Sequence, residues 1–332
     1  MLPVLGSDGG ESVPLALIGT HGMAETLPPR WLPALRALSE AIPTGGWGSP
    51  RSPVVVTSSN FGVGSLYAYV GSRVKGHLGH GAPYACVELI QRELGWGEQV
   101  HIFSHACVSA HVGLLHASRL LHSGLADRVL AFSFDFVSPF VAGGFHSLKI
   151  LNSGMPSPYA VRESGSIGLG DGAAFAVLSR EPSAFRIEAQ SLHNEMSHFT
   201  GNKADGSGFA ACARSIAAAA GGRRLWVKGH GTGTLEAGRL EAEAYRSTLP
   251  GSPLVSWKGS LGHTLGSCGL VELALAIEAL RTGRVPGTVG STAPCFTDTV
   301  SLGEFPAAGY EGVVVASNAF GGAHAALLLS HA

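Results

Sequence analysis

The chain has 332 residues, 45% hydrophobic and 14% charged, with a formal net charge of −1. That is enough apolar material for one large domain or two fused halves, and so little charge that a second subunit is expected to cover part of the surface. A near-neutral chain without a basic run argues against nucleic acid, because phosphate binding needs clustered Lys and Arg.

The first twenty residues lack a basic start and a long apolar run. The early stretch "VPLALIG" (13–19) has only a strand's length, so neither a signal peptide nor a membrane span is expected. β-branched and aromatic runs then recur at 53–59, 99–105, 127–136 and 173–179. A second set follows at 185–192, 223–229, 252–257, 312–318 and 324–330. Helical patterns fit between several of them, which predicts an α/β sheet protein.

The two sets run in the same order. The strand ending at His105 feeds a helix beginning near Cys107, with Val108, Val112 and Leu115 on one face. The strand ending near Trp257 leads through a glycine-rich turn into a helix beginning near His263, lined by Leu270, Leu273, Ile277 and Leu280. Each set closes on two apolar strands. This order predicts a structural duplication, residues 1–182 and 183–332, with its junction near Pro182. Segment 191–210 has turn composition and reads as a substrate-facing loop or an ordinary solvated connection. The five cysteines (Cys86, Cys107, Cys212, Cys268, Cys295) are scattered without a CxxC pair, which reads as a reduced, cytoplasmic chain.

Cys107 lies in "SHACVSAHVGLL", where a strand turns into a helix. Free N–H groups and partial positive charge at a helix start favour a thiolate, the nucleophilic form. "VKGHGTGT" (227–234) and "KGSLGHTLGSCG" (258–269) each set a histidine in a glycine-rich turn, where the backbone can approach a ligand closely. One cysteine with His230 and His263 can capture an acyl group and donate hydrogen bonds to a second carbonyl as charge develops on it. A zinc site would use the same residue types, but the short paired spacings of structural zinc are missing, so no metal is expected. Nothing in the sequence points to a cofactor.

These motifs resemble those of β-ketoacyl synthases, the condensing enzymes of fatty-acid and polyketide synthesis. "HGTGTLEAGRLEAEA" and "KGSLGHTLGSCGLVE" are similar to the two histidine motifs and "ACVS" to the nucleophile motif. "SPFVAGGFHSLKIL" and "GLGDGAAFAVL" resemble the segments after the nucleophile, and "SNAFGGAHAALLL" the C-terminal Phe-Gly-Gly turn. The likeness covers about residues 50–332. It implies a thiolase-like fold in five layers, α-β-α-β-α, usually dimeric. It further implies that Cys107 accepts an acyl chain from acyl carrier protein or coenzyme A, and that His230 and His263 stabilise the enolate left when a malonyl unit loses CO2.

Lys258 and Glu272 would form a buried pair, and the amides of Cys107 and Phe320 an oxyanion hole. Thr232, Thr234, Phe320 and Gly321 would contact substrate, with the Phe320 ring either gating the acyl cavity or packed in the core. The family's dimer would pair across the strands near Cys107 and at 127–136, as a homodimer or with a related synthase chain. The sequence departs from the pattern in three places. It is short for a family that usually exceeds 400 residues, and the Arg-Pro-Phe-Asp segment usual near 156–168 is missing. Gly238 stands where Asp is usual. The C-terminal turn is two residues shorter and keeps one phenylalanine. An acyltransferase, cyclase or hydrolase, or a non-catalytic chain-length partner, are the alternatives to a synthase.

Overall fold

The computed structural model describes residues 2–3, 12–19, 22–151, 153–160, 167–291, 296 and 298–331. Cys295 and residues 161–166, within the segment where the family pattern departs, lie outside them.

The β-branched runs assemble into two sheets. The first is ordered β5-β4-β6-β8, from β4 (Val54–Thr57), β5 (Val100–Phe103), β6 (Arg128–Asp135) and β8 (Gly172–Ser179). Strand β4 runs parallel to both β5 and β6, and β8 closes the sheet antiparallel to β6. The second is ordered β11-β10-β14-β15-β9, from β9 (Phe185–Asn194), β10 (Leu225–Lys228), β11 (Leu254–Val255), β14 (Gly312–Ala319) and β15 (Ala323–His331). Its parallel part, β11-β10-β14, is followed by antiparallel β15 and β9. Three two-residue pairs complete the strands. They join β1 (Leu2–Pro3) to β2 (Ser12–Val13), β3 (Leu15–Ala16) to β7 (Leu169–Gly170), and β12 (Arg284–Val285) to β13 (Phe305–Pro306).

Both faces of each sheet are apolar, so each needs a helical layer on either side. Helices α1 (Leu32–Ser39) and α3 (Pro83–Leu94) cover the outside of the first sheet, where Leu32, Leu35 and Ile90 meet Val54, Val56 and Phe132. Helices α4 (Ser109–His122) and α9 (Cys268–Thr282) fill the space between the sheets. There Leu114, Leu270 and Leu273 share a core with Ala131 and Ala174 on one side and Trp226 and Val313 on the other. Helices α6 (Ser207–Ala220) and α7 (Leu235–Thr248) cover the far side of the second sheet. The result is five layers, α-β-α-β-α. Truncating a central side chain such as Leu114, 1% exposed, would cost about 2–5 kcal/mol.

Helices α2 (Val63–Ser72), α5 (Pro139–Ser147) and the short α8 (Lys258–Leu261) complete the α-helices among the described residues. The Ser138 hydroxyl caps α5 by accepting from the Val141 N–H at 3.3 Å, and Pro139 follows in the first turn.

Some elements differ from the sequence expectation. The run 13–19 is split at Pro14, which has no N–H to give to a ladder, and only Leu15–Ala16 joins β7. The run 252–257 yields only Leu254–Val255, because Trp257 already caps α8. The helix expected from near His263 starts at Cys268, after a separate helical turn at 258–261. The buried face of α4 is Ala110, Leu114, Ala117 and Leu121, not the 108/112/115 row, because two sheets and α9 press on it. The loop placed at 191–210 is shorter, 195–206, between the end of β9 and the start of α6. Strand β6 cannot extend the sheet into a partner: it lies between β4 and β8, and its residues 129–135 are buried. The edge beside the nucleophile is β5.

Candidate active site

Cys107 sits just before α4, in a turn that Ala106 takes at φ +46°. A left-handed alanine costs energy and persists only where its surroundings impose it. Here Ser109 imposes it: its hydroxyl donates to the Ala106 carbonyl at 2.6 Å and accepts from the His105 N–H at 2.8 Å. Cys107 is 9% exposed, and burial pushes its thiol well above the ordinary range, with Cys268 adding to the rise and Lys258 opposing it. This corrects the expectation of a resting thiolate. A helix start favours the thiolate, whereas burial of the sulfur opposes it. The thiol therefore needs a proton acceptor, and His263 Nε2 lies 3.0 Å from its sulfur.

His263 is positioned by main chain. Its N–H donates to the Gly168 carbonyl at 2.6 Å, and its carbonyl accepts from the Gly170 N–H at 3.0 Å. The turn thus clasps β7, which lies far earlier in the chain. Two glycines make this approach possible. A Cβ on Gly170 would meet the Leu261 carbonyl oxygen at 2.0 Å, and Gly262, at φ +68°, would meet the Leu169 carbonyl carbon at 2.5 Å.

His230 follows β10, and its ring stands perpendicular to that of His263 with centroids 5.0 Å apart. The loop that carries it is held by Glu241 on α7, a role not visible in the sequence motif. The carboxylate accepts from the His230 N–H at 2.6 Å, the Gly231 N–H at 3.0 Å, the Tyr159 hydroxyl at 2.9 Å and the Asn318 amide at 3.2 Å. The Gly238 departure has a steric counterpart. A Cβ there would already touch the Tyr159 ring at 3.5 Å, so a longer side chain would press on the residue that helps hold Glu241. Burial drives both active-site histidines well below the ordinary imidazole range, and Lys258 lowers them further. Both are neutral rings near pH 7, able to donate one N–H. The Nδ1 of each is buried without a hydrogen-bond partner in the described structure.

Lys258 and Glu272 do pair, both essentially buried. They are not alone, as the sequence reading had them. Lys228 on β10, 0% exposed, lies 2.5 Å from the other Glu272 oxygen in an ion pair and donates to the Gly229 carbonyl at 2.6 Å. His111, behind this cluster, contacts the Ser317 hydroxyl at 3.2 Å and is pushed down to about 4 by burial. Cys268, fully buried, donates to the Cys107 carbonyl at 3.3 Å and does not line the cavity, so it is a structural thiol.

A cavity of about 250 Å³ opens over the sulfur. Cys107, His230, His263, Thr232, Thr234 and Phe320 all line it, and so do Thr200, Gly201 and Asn202 of the 195–206 loop. Gly321 does not line it. Lys258 and Glu272 lie behind it. The Phe320 ring is 39% exposed and leans on Phe145 of α5 with centroids 5.7 Å apart, so it is a wall of the mouth and not a core side chain. The loop is tied down by Glu195, which accepts from the Lys203 and Gly208 N–H groups and meets His324 Nε2 at 3.1 Å. His324 in turn contacts Asn318 at 2.9 Å, which joins this network to Glu241. Among the described residues no group of three or more His, Cys, Asp or Glu is arranged to hold a metal ion, and no helix is long and apolar enough to cross a membrane.

The five layers and a buried cysteine facing two histidines across the joint define a thiolase-like protein. Comparison with known proteins narrows the class. Residues 185–292 match the family model of the β-ketoacyl synthase C-terminal domain. The chain is 29% identical over 286 residues to a β-ketoacyl synthase of actinorhodin polyketide synthesis from Streptomyces coelicolor, covering 76% of this chain and 60% of that protein. It is 27% identical over 249 residues to a 3-oxoacyl-[acyl-carrier-protein] synthase 2 from Coxiella burnetii, covering 68% and 60%. Thus the alignments span about three fifths of those relatives' length. In fold it is similar to the structure of the ketosynthase ApeO in complex with its chain length factor ApeC from Xenorhabdus doucetiae. That match has a TM-score of 0.79 at 22% identity and covers 98% of this chain and 88% of that one. The chain is thus similar to β-ketoacyl synthases in sequence and to a ketosynthase in fold.

Proposed function

We propose that the protein is a condensing acyltransferase that extends a Cys107-bound acyl group with a malonyl unit. The observation that carries this reading is the 3.0 Å approach of His263 Nε2 to the Cys107 sulfur, with neutral His230 beside it in one cavity. In the first step Cys107 attacks an acyl thioester of a carrier protein or coenzyme A. Its proton passes to His263 and then to the departing carrier thiolate, leaving acyl-Cys107. In the second step a malonyl thioester loses CO2. The C–C electron pair becomes an enolate, whose oxygen takes an N–H hydrogen bond from His230 and one from His263 once its proton has moved from Nδ1 to Nε2, the tautomer that donates into the cavity. The enolate carbon then attacks the Cys107 thioester, whose carbonyl oxygen would receive the Cys107 and Phe320 amides. The Cys107 thiolate leaves, and the product is a β-ketoacyl thioester two carbons longer. Each oxyanion donor of this type is worth about 3 kcal/mol in the transition state.

On this reading Thr232 and Thr234 meet the carrier arm, and residues 1–182 and 183–332 are the two thiolase-like halves. The low charged fraction and the free β5 edge support a dimer, with a second copy or with a related synthase chain. Retention of Cys107 argues against a purely non-catalytic partner. One observation favours a second reading, acyl transfer to an alcohol, amine or water. Glu236 lines the same cavity, and a carboxylate there opposes a malonyl carboxylate. Intact-mass spectrometry after incubation with acyl-carrier and malonyl-carrier thioesters separates the two. Condensation yields a carrier-bound β-ketoacyl product; simple transfer yields acyl-Cys107 that is discharged unextended.

A further inference from the structure

The cluster below the histidines holds one cation more than it has anions. Glu272 on α9 is the single carboxylate, and two ammonium groups reach it, Lys258 from α8 and Lys228 from β10. All three side chains are 2% exposed or less, so solvent screens none of them. Burial lowers Lys228 to about 8, so below that pH, with both lysines protonated and Glu272 ionised, the cluster carries one positive charge. A lone Lys258–Glu272 pair would already be neutral, although it would leave the second Glu272 oxygen without a hydrogen bond. Lys228 faces that oxygen, and with it the cluster gains a positive charge that Glu272 does not balance.

The position suggests a use for that charge. Lys228 lies two residues before His230 on the same chain segment, and Lys258 five residues before His263. We propose that Lys228 is a positioning residue whose surplus positive charge, shared through Glu272 with Lys258, keeps His230 and His263 uncharged and favours negative charge at the Cys107 sulfur and at the substrate oxygen above it. The inference rests on the Cys107 chemistry proposed above, but not on condensation. Other titratable groups face the cluster. His111 on α4 is buried and neutral near pH 7, and Cys268 on α9 carries its proton. Two further buried carboxylates lie nearby and engage other donors: Glu241 holds the His230 loop, and Asp135 on β6 accepts from Ser58, Ser59 and Asn60. Among the described residues neither forms an ion pair with Lys228 or Lys258. Both lysines push the two histidines downward, in addition to burial.

The test uses the intact chain and the pH profile of Cys107 alkylation by iodoacetamide, read site by site by mass spectrometry. Alkylation needs only the thiolate and no carrier, so it reports on Lys228 whatever reaction the protein performs. Lys228→Met removes the charge and keeps the apolar stem. Its Cys107 alkylation should be about tenfold slower at pH 7, where Lys228 is charged, and the difference should fade above pH 8, where wild-type Lys228 loses its proton. Lys228→Gln, which keeps a hydrogen-bond donor for the Gly229 carbonyl, should slow it equally. A lower melting temperature with an unchanged profile in either variant would overturn the proposal and leave Lys228 a structural residue. If neither variant folds, histidine NMR of the wild-type protein decides. His230 and His263 resonances that stay neutral down to pH 5 support it, and protonation of either above pH 6 overturns it.

Discussion

Replacing Glu241 by Gln isolates what holds the His230 loop. Glu241 is 1% exposed, and four donors converge on its two oxygens: the His230 and Gly231 N–H groups, the Tyr159 hydroxyl and the Asn318 amide. A carboxylate only accepts, so it satisfies all four. Glutamine keeps one oxygen. Whichever way its amide turns, its NH2 faces a backbone N–H of His230 or Gly231. The Tyr159 hydroxyl can rotate to accept, but a backbone N–H cannot. Stranding one buried donor costs about 1–3 kcal/mol, and losing the charge from the surviving bonds adds about 1. The loss of stability should be about 2–4 kcal/mol. Unfolding entropy of about 2.1 cal/mol/K per residue, over 332 residues, is about 0.7 kcal/mol/K. Glu241→Gln should therefore lower Tm by about 3–6 °C in thermal unfolding followed by circular dichroism. A shift below about 1 °C would refute the view that Glu241 is held by donors with no other acceptor.

Cys107→Ala should abolish acyl labelling in intact-mass spectra with the fold retained; undiminished labelling would exclude Cys107 as the acyl carrier. Phe320→Ala should cost only about 1–2 kcal/mol, since the ring is 39% exposed and its main partner is Phe145, and should shorten the lifetime of acyl-Cys107 by admitting water. A loss of about 3–5 kcal/mol with an unchanged lifetime would mark a core aromatic instead. Acidification should destabilise the protein. His111 is pushed from 6.5 to about 4 and His230 and His263 also downward, so the unfolded chain binds more protons than the folded one below pH 6.5. Stability is full above that pH and is lost as pH falls through the folded values, by about 2 kcal/mol at pH 5 from His111 alone. Asp135, raised to about 6 by burial, and Glu25, also raised by burial, act oppositely, but His80, His101, His116 and His324 are lowered as well and add to the three. Denaturant unfolding at pH 7.5 and 5 checks the sign.

Much of this architecture can be read along the chain because its signals are local. Alternating apolar runs mark strands within a few residues, and glycines mark the turns that carry His230 and His263. What cannot be read is set by contacts between distant segments. Lys228 looks like an ordinary strand residue until β10 and α9 bring it to Glu272, forty-four positions away. Tyr159 meets Glu241 across 82 positions, and Asn318 meets it across 77. The thiol of Cys107 fails in the same way. The helix-start argument uses its chain neighbours, while its proton affinity is decided by Cys268, Lys258 and the exclusion of water, none of them local. The family resemblance places strand β6 at an interface, but two neighbouring strands already occupy both of its edges.

The clasp between the His263 turn and β7 bears on how far such a sequence can drift. The distance from nucleophile to histidine is kept by amide-to-carbonyl bonds at Gly168 and Gly170, which any residue with an N–H could in principle supply. Selection on that spacing therefore falls on the absence of side chains at Gly170 and Gly262, where no Cβ fits, and hardly at all on which side chains surround them. A lineage can replace most of the wall and still bring sulfur and imidazole together. By the same reasoning, a search for remote relatives should weight those two glycines above any charged residue of the site.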